Sequence, residues 1–145
     1  MLVREMVLQD LDQVVLIEHE AYEFPWSRSL FEQAIHSTKY CLVLEQNQNI
    51  QGYGIVSYVV GEAELLNICI ASGARGQGHA QTLLEHLVEH AQQHDNHEMF
   101  LEVRPSNQAA IHIYEKQGFH EIGRRKNYYP TKSGYEDALL MALPL

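Results

Sequence analysis

The stretch Arg75-Gly76-Gln77-Gly78-His79-Ala80 constrains the fold more than any other part of the chain. An apolar run, Leu65-Leu66-Asn67-Ile68-Cys69-Ile70, precedes it, and a helical pattern opens near Gln81. Strand, glycine-bearing turn and helix in that order gather free backbone N–H groups and the positive end of a helix dipole at one spot. Such a spot holds a phosphate or pyrophosphate. Gly76 and Gly78 permit positive φ and a close approach to the backbone. Two familiar phosphate loops are excluded: there is no Gly-Lys-Ser/Thr ending, and the glycines lack G-x-G-x-x-G spacing. Taken alone, the turn serves equally as a plain connection.

With 145 residues, one domain with a real core is expected. A composition of 46% apolar and 20% charged residues excludes a disordered chain. Apolar runs of five or six residues are too short to span a bilayer. Arg4, Glu5 and Asp10 argue against a secretory signal at the N-terminus. Cys41 and Cys69 lie inside apolar runs and read as reduced core residues of a cytoplasmic protein. The net charge of −9 argues against a large nucleic-acid footprint. It suits a solubilising surface, and it is compatible with a basic peptide as partner.

Leu2 to Val7 reads as a strand, and Asp10 as the cap of a helix from Leu11 to about Tyr22. After the break Phe24-Pro25-Trp26-Ser27, Ser29 and Glu32 stand at capping-box spacing and open a short helix to about His36. Tyr40–Gln46, Ile50–Val60 and Glu62–Ile70 form an antiparallel meander, the first two joined at Asn47-Gln48-Asn49. A long helix from Gln81 to about His94 buries Leu83, Leu84, Leu87, Val88 and Ala91. Met99–Arg104 is a strand ended by Pro105. Ser106 or Asn107 then caps a helix to about Gln117, and Gly118 breaks it. Phe119–Tyr129 and Glu136–Leu143 close the chain as a hairpin. The order β-α-α-β-β-β-α-β-α-β-β is economically packed as an α/β (α+β) fold, one sheet with helices on both faces.

A second motif lies downstream of the glycine turn: Leu101-Glu102-Val103-Arg104-Pro105-Ser106-Asn107-Gln108-Ala109-Ala110-Ile111-His112-Ile113-Tyr114-Glu115-Lys116-Gln117-Gly118-Phe119. Together with Arg75 to Ala80 it resembles the strand–helix signature and the Arg/Gln-x-x-Gly-x-Gly/Ala loop of the GNAT acetyltransferases, which bind acetyl-coenzyme A. It is most similar to the subfamily that acetylates the N-terminal alanine of a small-subunit ribosomal protein, number eighteen. Phe24-Pro25-Trp26-Ser27, Leu66-Asn67-Ile68, Arg124-Arg125-x-Asn127-Tyr128-Tyr129-Pro130, Glu136-Asp137-Ala138 and Met141-Ala142-Leu143-Pro144 agree too, so the likeness covers the whole chain. His79 replaces a usually apolar residue, and Ala80 replaces a final glycine that the wider motif allows as alanine.

The resemblance implies a single domain over 1–145 with a mixed, mostly antiparallel twisted sheet splayed between its fourth and fifth strands. It implies acetyl-CoA as co-substrate, no metal, and direct transfer in a ternary complex. Backbone groups of Ile68, Cys69 and Ile70 would then pair with the pantetheine arm. Arg75, Gly76, Gln77, Gly78, His79, Ala80 and Gln81 would hold the pyrophosphate, and Asn107 would touch the cofactor. Glu102 carries over as proton acceptor and Tyr114 as proton donor to the departing thiolate.

The residues alone leave plainer roles open: core strand for Ile68–Ile70, surface ion pair for Glu102, core filler for Tyr114, helix cap for Asn107. Reference pKa values of about 8 for an α-ammonium and about 4.3 for Glu make a water relay the expected path for the proton. At pH about 7.5 deprotonation costs an α-amine under about 1 kcal/mol and a lysine about 4, which favours N-terminal acceptors without excluding lysine. A phenol near 10 is a weaker acid than a thiol near 8.5, so Tyr114 is expected to act chiefly by hydrogen-bonding the sulfur.

Phe24, Trp26, Tyr128 and Tyr129 read either as walls of a peptide groove or as core at the open ends of the sheet. Glu23, Glu136 and Asp137 are either contacts for a basic peptide or solvated loop residues. His86, His90 and His94 recur every four residues, but His86 and His90 are expected on the exposed face, so no zinc site is assigned. Cys69 has no histidine or acid spaced to activate it as a nucleophile. Competing functions are acetylation of other N-termini, lysine side chains or small amines, and a non-catalytic acyl-CoA-binding module.

Overall fold

A computed structural model describes residues 1–145. The elements are β1 (Leu2–Glu5), α1 (Leu11–Ala21), α2 (Arg28–Ile35), β2 (Tyr40–Gln46), β3 (Asn49–Val59), β4 (Glu62–Ile70), α3 (His79–Gln93), β5 (Glu98–Val103), α4 (Gln108–Gln117), β6 (His120–Thr131) and β7 (Gly134–Pro144). Single 3-10 turns at Leu8–Asp10 and Ser72–Ala74 precede α1 and α3. The strands form one sheet in the order β1-β2-β3-β4-β5-β7-β6. Every pairing is antiparallel except β4 with β5. No helix is long and apolar enough to cross a membrane.

The parallel pairing of β4 with β5 runs from Glu62↔Glu98 to Leu65↔Leu101 and stops. Each strand then continues with its outer neighbour, β4 to Ile70 against β3 and β5 to Val103 against β7. A bulge accounts for the parting. Val56 pairs with Leu65 and Ile55 with Asn67, which leaves Leu66 as an extra residue on β4. An extra residue bends the bulged strand and increases its twist. The facing edges of Leu66–Ile70 and of β5 after Leu101 are left without a strand partner.

Helices cover both faces. Leu83, Leu84 and Leu87 of α3 and Ile111 and Tyr114 of α4 pack with Leu65, Met99, Leu101, Val103, Leu139 and Met141. Helix α3 comes close to the sheet because β3 carries Gly54 beneath it; a Cβ there would stand 2.7 Å from Leu87 Cδ1. On the other face Leu11, Val14 and Ile17 of α1 and Phe31 and Ala34 of α2 pack with Val43, Tyr53 and Ile55. This second layer reaches no residue of β5, β6 or β7.

Local details differ from the sequence-based expectation. Helix α3 begins at His79, two residues early, because Gly78 at φ 80° turns the chain directly into it. Ser27, not Ser29, caps α2, its Oγ accepting from Leu30 N–H at 3.3 Å. Asp10 does not cap α1. Its carboxylate accepts from Val7 N–H at 2.8 Å and from the Arg4 guanidinium at 2.9 and 2.8 Å, tying β1 to the turn before α1. His90 is half-buried rather than exposed: its ring stacks on Tyr40 at 3.4 Å and its Nδ1 meets Tyr58 Oη, since β2 and β3 reach beneath that side of α3.

Candidate active site

Where β4 and β5 part, a cleft of about 1340 Å³ opens through the sheet. One wall is the free edge of β4 with Ile68, Cys69 and Ile70; the other carries Glu102 on β5 and Tyr114 on α4. Arg75, Gly76, Gly78, His79, Ala80 and Gln81 close one end, and Asn107 is also on the lining. Phe24, Trp26 and Tyr129 line the rest. Of the catalytic, cofactor and aromatic acceptor residues expected from sequence, Gln77 and Tyr128 stand off the lining; of the acidic peptide contacts, Glu23 and Glu136 lie on it and Asp137 does not.

The turn is preorganised for an anion. Gly76 and Gly78 adopt φ of 78° and 80°, and nothing lies within 4 Å of a Cβ at either position. Conformation, not space, requires glycine there. The N–H groups of Gly78, His79, Ala80 and Gln81 donate to no acceptor of the protein, and α3 has no side-chain cap. Four bare amides at the positive end of a fifteen-residue helix fit a diphosphate. The Arg75 side chain folds back, its Nε donating to Ile70 C=O at 3.3 Å. The Gln81 amide bonds Gln117 at the end of α4, so its contribution to the turn is its backbone N–H. The buried Nε2 of His79 has no partner.

On β5 the side chains alternate, so Met99, Leu101 and Val103 enter the core and Glu102 faces the other way. Glu102 is an ion pair with Arg125 of β6, Nε to Oε1 3.3 Å. Tyr114 does two things at once. Its ring is core, edge-on to Phe119 at 5.8 Å, while its hydroxyl has no hydrogen-bond partner in the protein. Burial pushes the phenol well above its ordinary range, so it remains an O–H donor. Asn107 caps α4, its Oδ1 accepting from Ala110 N–H at 3.2 Å, which leaves its amide NH₂ free. Burial raises the Cys69 thiol above its ordinary range, which disfavours the thiolate a nucleophile needs.

Three supporting residues escaped the sequence reading. Glu18 is buried on α1 without a cation. It accepts from Tyr53 Oη at 2.7 Å, Asn67 Nδ2 at 2.9 Å and Trp26 N–H at 2.9 Å, so one carboxylate holds the aromatic loop against β3 and β4. Its signal was an acid on the apolar stripe of α1. Tyr22 donates its hydroxyl to Ile68 C=O at 3.0 Å, so, with Arg75 on Ile70 C=O, two carbonyls of the free β4 edge already have partners. Arg104 donates to Glu136 Oε1 at 3.1 Å and Pro130 C=O at 3.0 Å and lies 4.5 Å over the Tyr129 ring. Glu136 and Asp137 are thus engaged within the fold, the latter accepting from Asn127 N–H at 3.1 Å. Burial first, then nearby Glu102, pushes the Tyr129 phenol up to about 12. Tyr128 is half-exposed, edge-on to Tyr129. No cluster of three or more His, Cys, Asp or Glu side chains is placed to hold a metal.

Comparison with known proteins bears on the fold and the family. The chain is 40% identical over 136 residues to the ribosomal protein bS18-alanine N-acetyltransferase of Escherichia coli K12, covering 94% of this chain and 92% of that protein. The enzyme of that name from Haemophilus influenzae is 37% identical over 134 residues, covering 92% and 91%. The crystal structure of the E. coli ribosomal-protein-S18-alanine N-acetyltransferase superposes with a TM-score of 0.93 at 38% identity, covering 99% of this chain and 92% of that one. That of the Brucella melitensis ribosomal-protein-alanine N-acetyltransferase superposes at 0.88 and 25% identity over the whole of both chains. The model of the acetyltransferase (GNAT) family matches residues 8–119, and the chain belongs to that family.

Proposed function

We propose that this chain is a single-domain, cytoplasmic N-α-acetyltransferase that transfers the acetyl group of acetyl-CoA to the N-terminal alanine of ribosomal protein bS18. The observation that carries the reading is the open seam between β4 and β5, with a carboxylate and an unpartnered phenol on one wall and bare amides at its end. The names and the 40% identity of the E. coli relative support the choice of acceptor. Acetyl-CoA supplies an acyl group activated as a thioester. The amides of Gly78, His79, Ala80 and Gln81 would seat its diphosphate, and the free edge of Ile68, Cys69 and Ile70 would hold its arm.

Glu102 takes the proton of the acceptor ammonium through a water, leaving a neutral amine to attack the carbonyl carbon. The C–N bond forms, the C–S bond breaks, and the Tyr114 hydroxyl donates a hydrogen bond to the departing sulfur; the proton that the nitrogen sheds on becoming an amide ends on that sulfur, so coenzyme A leaves as the thiol. Phe24, Trp26 and Tyr129 wall the acceptor's entrance, with Tyr128 behind Tyr129. The chemistry requires neither metal nor nucleic acid.

The reading is tested by incubating the enzyme with acetyl-CoA and a peptide beginning Ala-Arg, then mapping the products by mass spectrometry. A single acetyl group on the α-amine, absent when that amine is blocked, is the expected result. Modification of lysine in the blocked peptide would replace the N-terminal acceptor by a side chain. Coenzyme A binding with no turnover would leave only a carrier-binding module.

A further inference from the structure

We infer that the acceptor polypeptide, beyond its reacting N-terminus, runs extended along the uncovered face of β4 and β5, and that this face takes a basic segment. The inference rests on the proposed N-terminal acceptor. The helix layer over this side of the sheet ends at β4, so nothing in the protein covers the strands beyond. There a trough of about 240 Å³ begins at Glu102, the residue that also lines the cleft, and runs back to Glu64 and Glu62. The trough and the catalytic seam thus meet at Glu102.

Register supplies the spacing. Glu64 lies beside Phe100 and Glu62 beside Glu98, and Phe100 is two residues before Glu102 on the same face. Successive rows are thus about 7 Å apart, and an extended peptide advances by about the same distance every two residues. With its amine at Glu102, an acceptor's third residue stands over Phe100 and Glu64, and its fifth over Glu62. The floor is apolar, formed by Phe100, Leu140 and Ile122.

The rim is acidic. Glu62 and Glu64 are exposed and form no ion pair, and the trough's one cation, Arg125, is held by Glu102. Lysine and arginine fit such a surface, aliphatic stem on the floor and charged head at the rim. A second copy of this chain fits it poorly, since a two-fold contact sets the same carboxylates against one another.

The test is steady-state kinetics at saturating acetyl-CoA with three peptides: an alanine-initiated tripeptide, an octapeptide with lysine at its third and fifth positions, and the same octapeptide with glutamine there. They are assayed with the native enzyme and with Glu62→Lys/Glu64→Lys. Circular dichroism checks the fold, and the milder Glu64→Gln stands in should the double variant fail to fold. We expect the native enzyme to show a KM for the lysine octapeptide about tenfold below that for the glutamine one. The double variant should lose that preference with kcat unchanged and treat the tripeptide as the native enzyme does; Glu64→Gln should lose about threefold of it. A preference that survives both variants, or a loss shared equally by the tripeptide, overturns the trough. So does a native dimer that the substitutions dissociate in sedimentation. Absence of transfer to every peptide, the tripeptide included, is the separate result that removes the proposed function and this inference with it.

Discussion

Tyr114 shows how one side chain serves both core and chemistry. Its ring is packed by α3, β5 and Phe119, which fixes where the hydroxyl emerges, and burial keeps that hydroxyl protonated. Tyr114→Phe keeps the packing and deletes the donor, so kcat should fall about 100-fold with little change in KM. An unchanged kcat at saturating substrates would remove the residue from the mechanism. Glu18 is the opposite case, a buried carboxylate that never reaches the reacting atoms. Glu18→Ala strands Tyr53 Oη, the Asn67 amide and Trp26 N–H together. It should cost about 3 kcal/mol in urea unfolding and raise the KM of the acceptor more than that of acetyl-CoA. Both residue types were visible in the chain; the partners that assign their roles were not, because those partners lie 35 or more positions away in two of the three Glu18 contacts.

Among elements, the junction of β4 with α3 is the most demanding. Gly78 holds φ 80° with empty space around it, so Gly78→Ala should cost about 1–2 kcal/mol in strain alone. A methyl group would also stand where the ligand approaches the bare amides, so the KM for acetyl-CoA should rise while that for the acceptor holds. Equal rises in both would show that the turn acts only through stability. The β1 clamp answers to pH. Burial would raise the Asp10 carboxyl, but the Arg4 and Val7 hydrogen bonds outweigh it and hold its pKa below the ordinary value. A lowered folded-state pKa means stabilisation that is complete above about pH 4 and is lost as pH falls through the lowered value. Asp10→Asn should therefore cost about 2 kcal/mol at pH 7 and progressively less toward pH 3. A gap that stays constant in urea midpoints across that range would contradict the clamp.

At the scale of the whole molecule, the −9 charge and the open face of the sheet act together. An acidic protein attracts a basic acceptor over distances that salt screens. Raising ionic strength from about 50 to about 300 mM should lower kcat/KM for a lysine-rich acceptor severalfold and leave a neutral one nearly unchanged. Equal responses would mean that charge takes no part in recognition. The acid surplus was legible in composition, but its placement was not. Glu23, Glu136 and Asp137 read either as peptide contacts or as solvated loop residues, whereas Glu136 and Asp137 are engaged by Arg104, Ser106 and Asn127. Glu62 and Glu64, ordinary strand-end acids by sequence, are the ones left free on the bare face.

What the chain declares by itself is local. Apolar periodicity assigns strands and helices in the right order, and the paired glycines mark the anion turn, because both depend on neighbours a few residues apart. The splay between the fourth and fifth strands is legible through the family resemblance; tertiary structure alone decides that it follows an extra residue at Leu66 and begins after Leu101. It alone decides that Glu102 meets Arg125, that Tyr22 reaches Ile68, and that the helix layer stops short of β5. The physical reason is that cross-strand register and ionic partnership are settled by packing among distant segments, where one residue of slip exchanges a whole set of contacts.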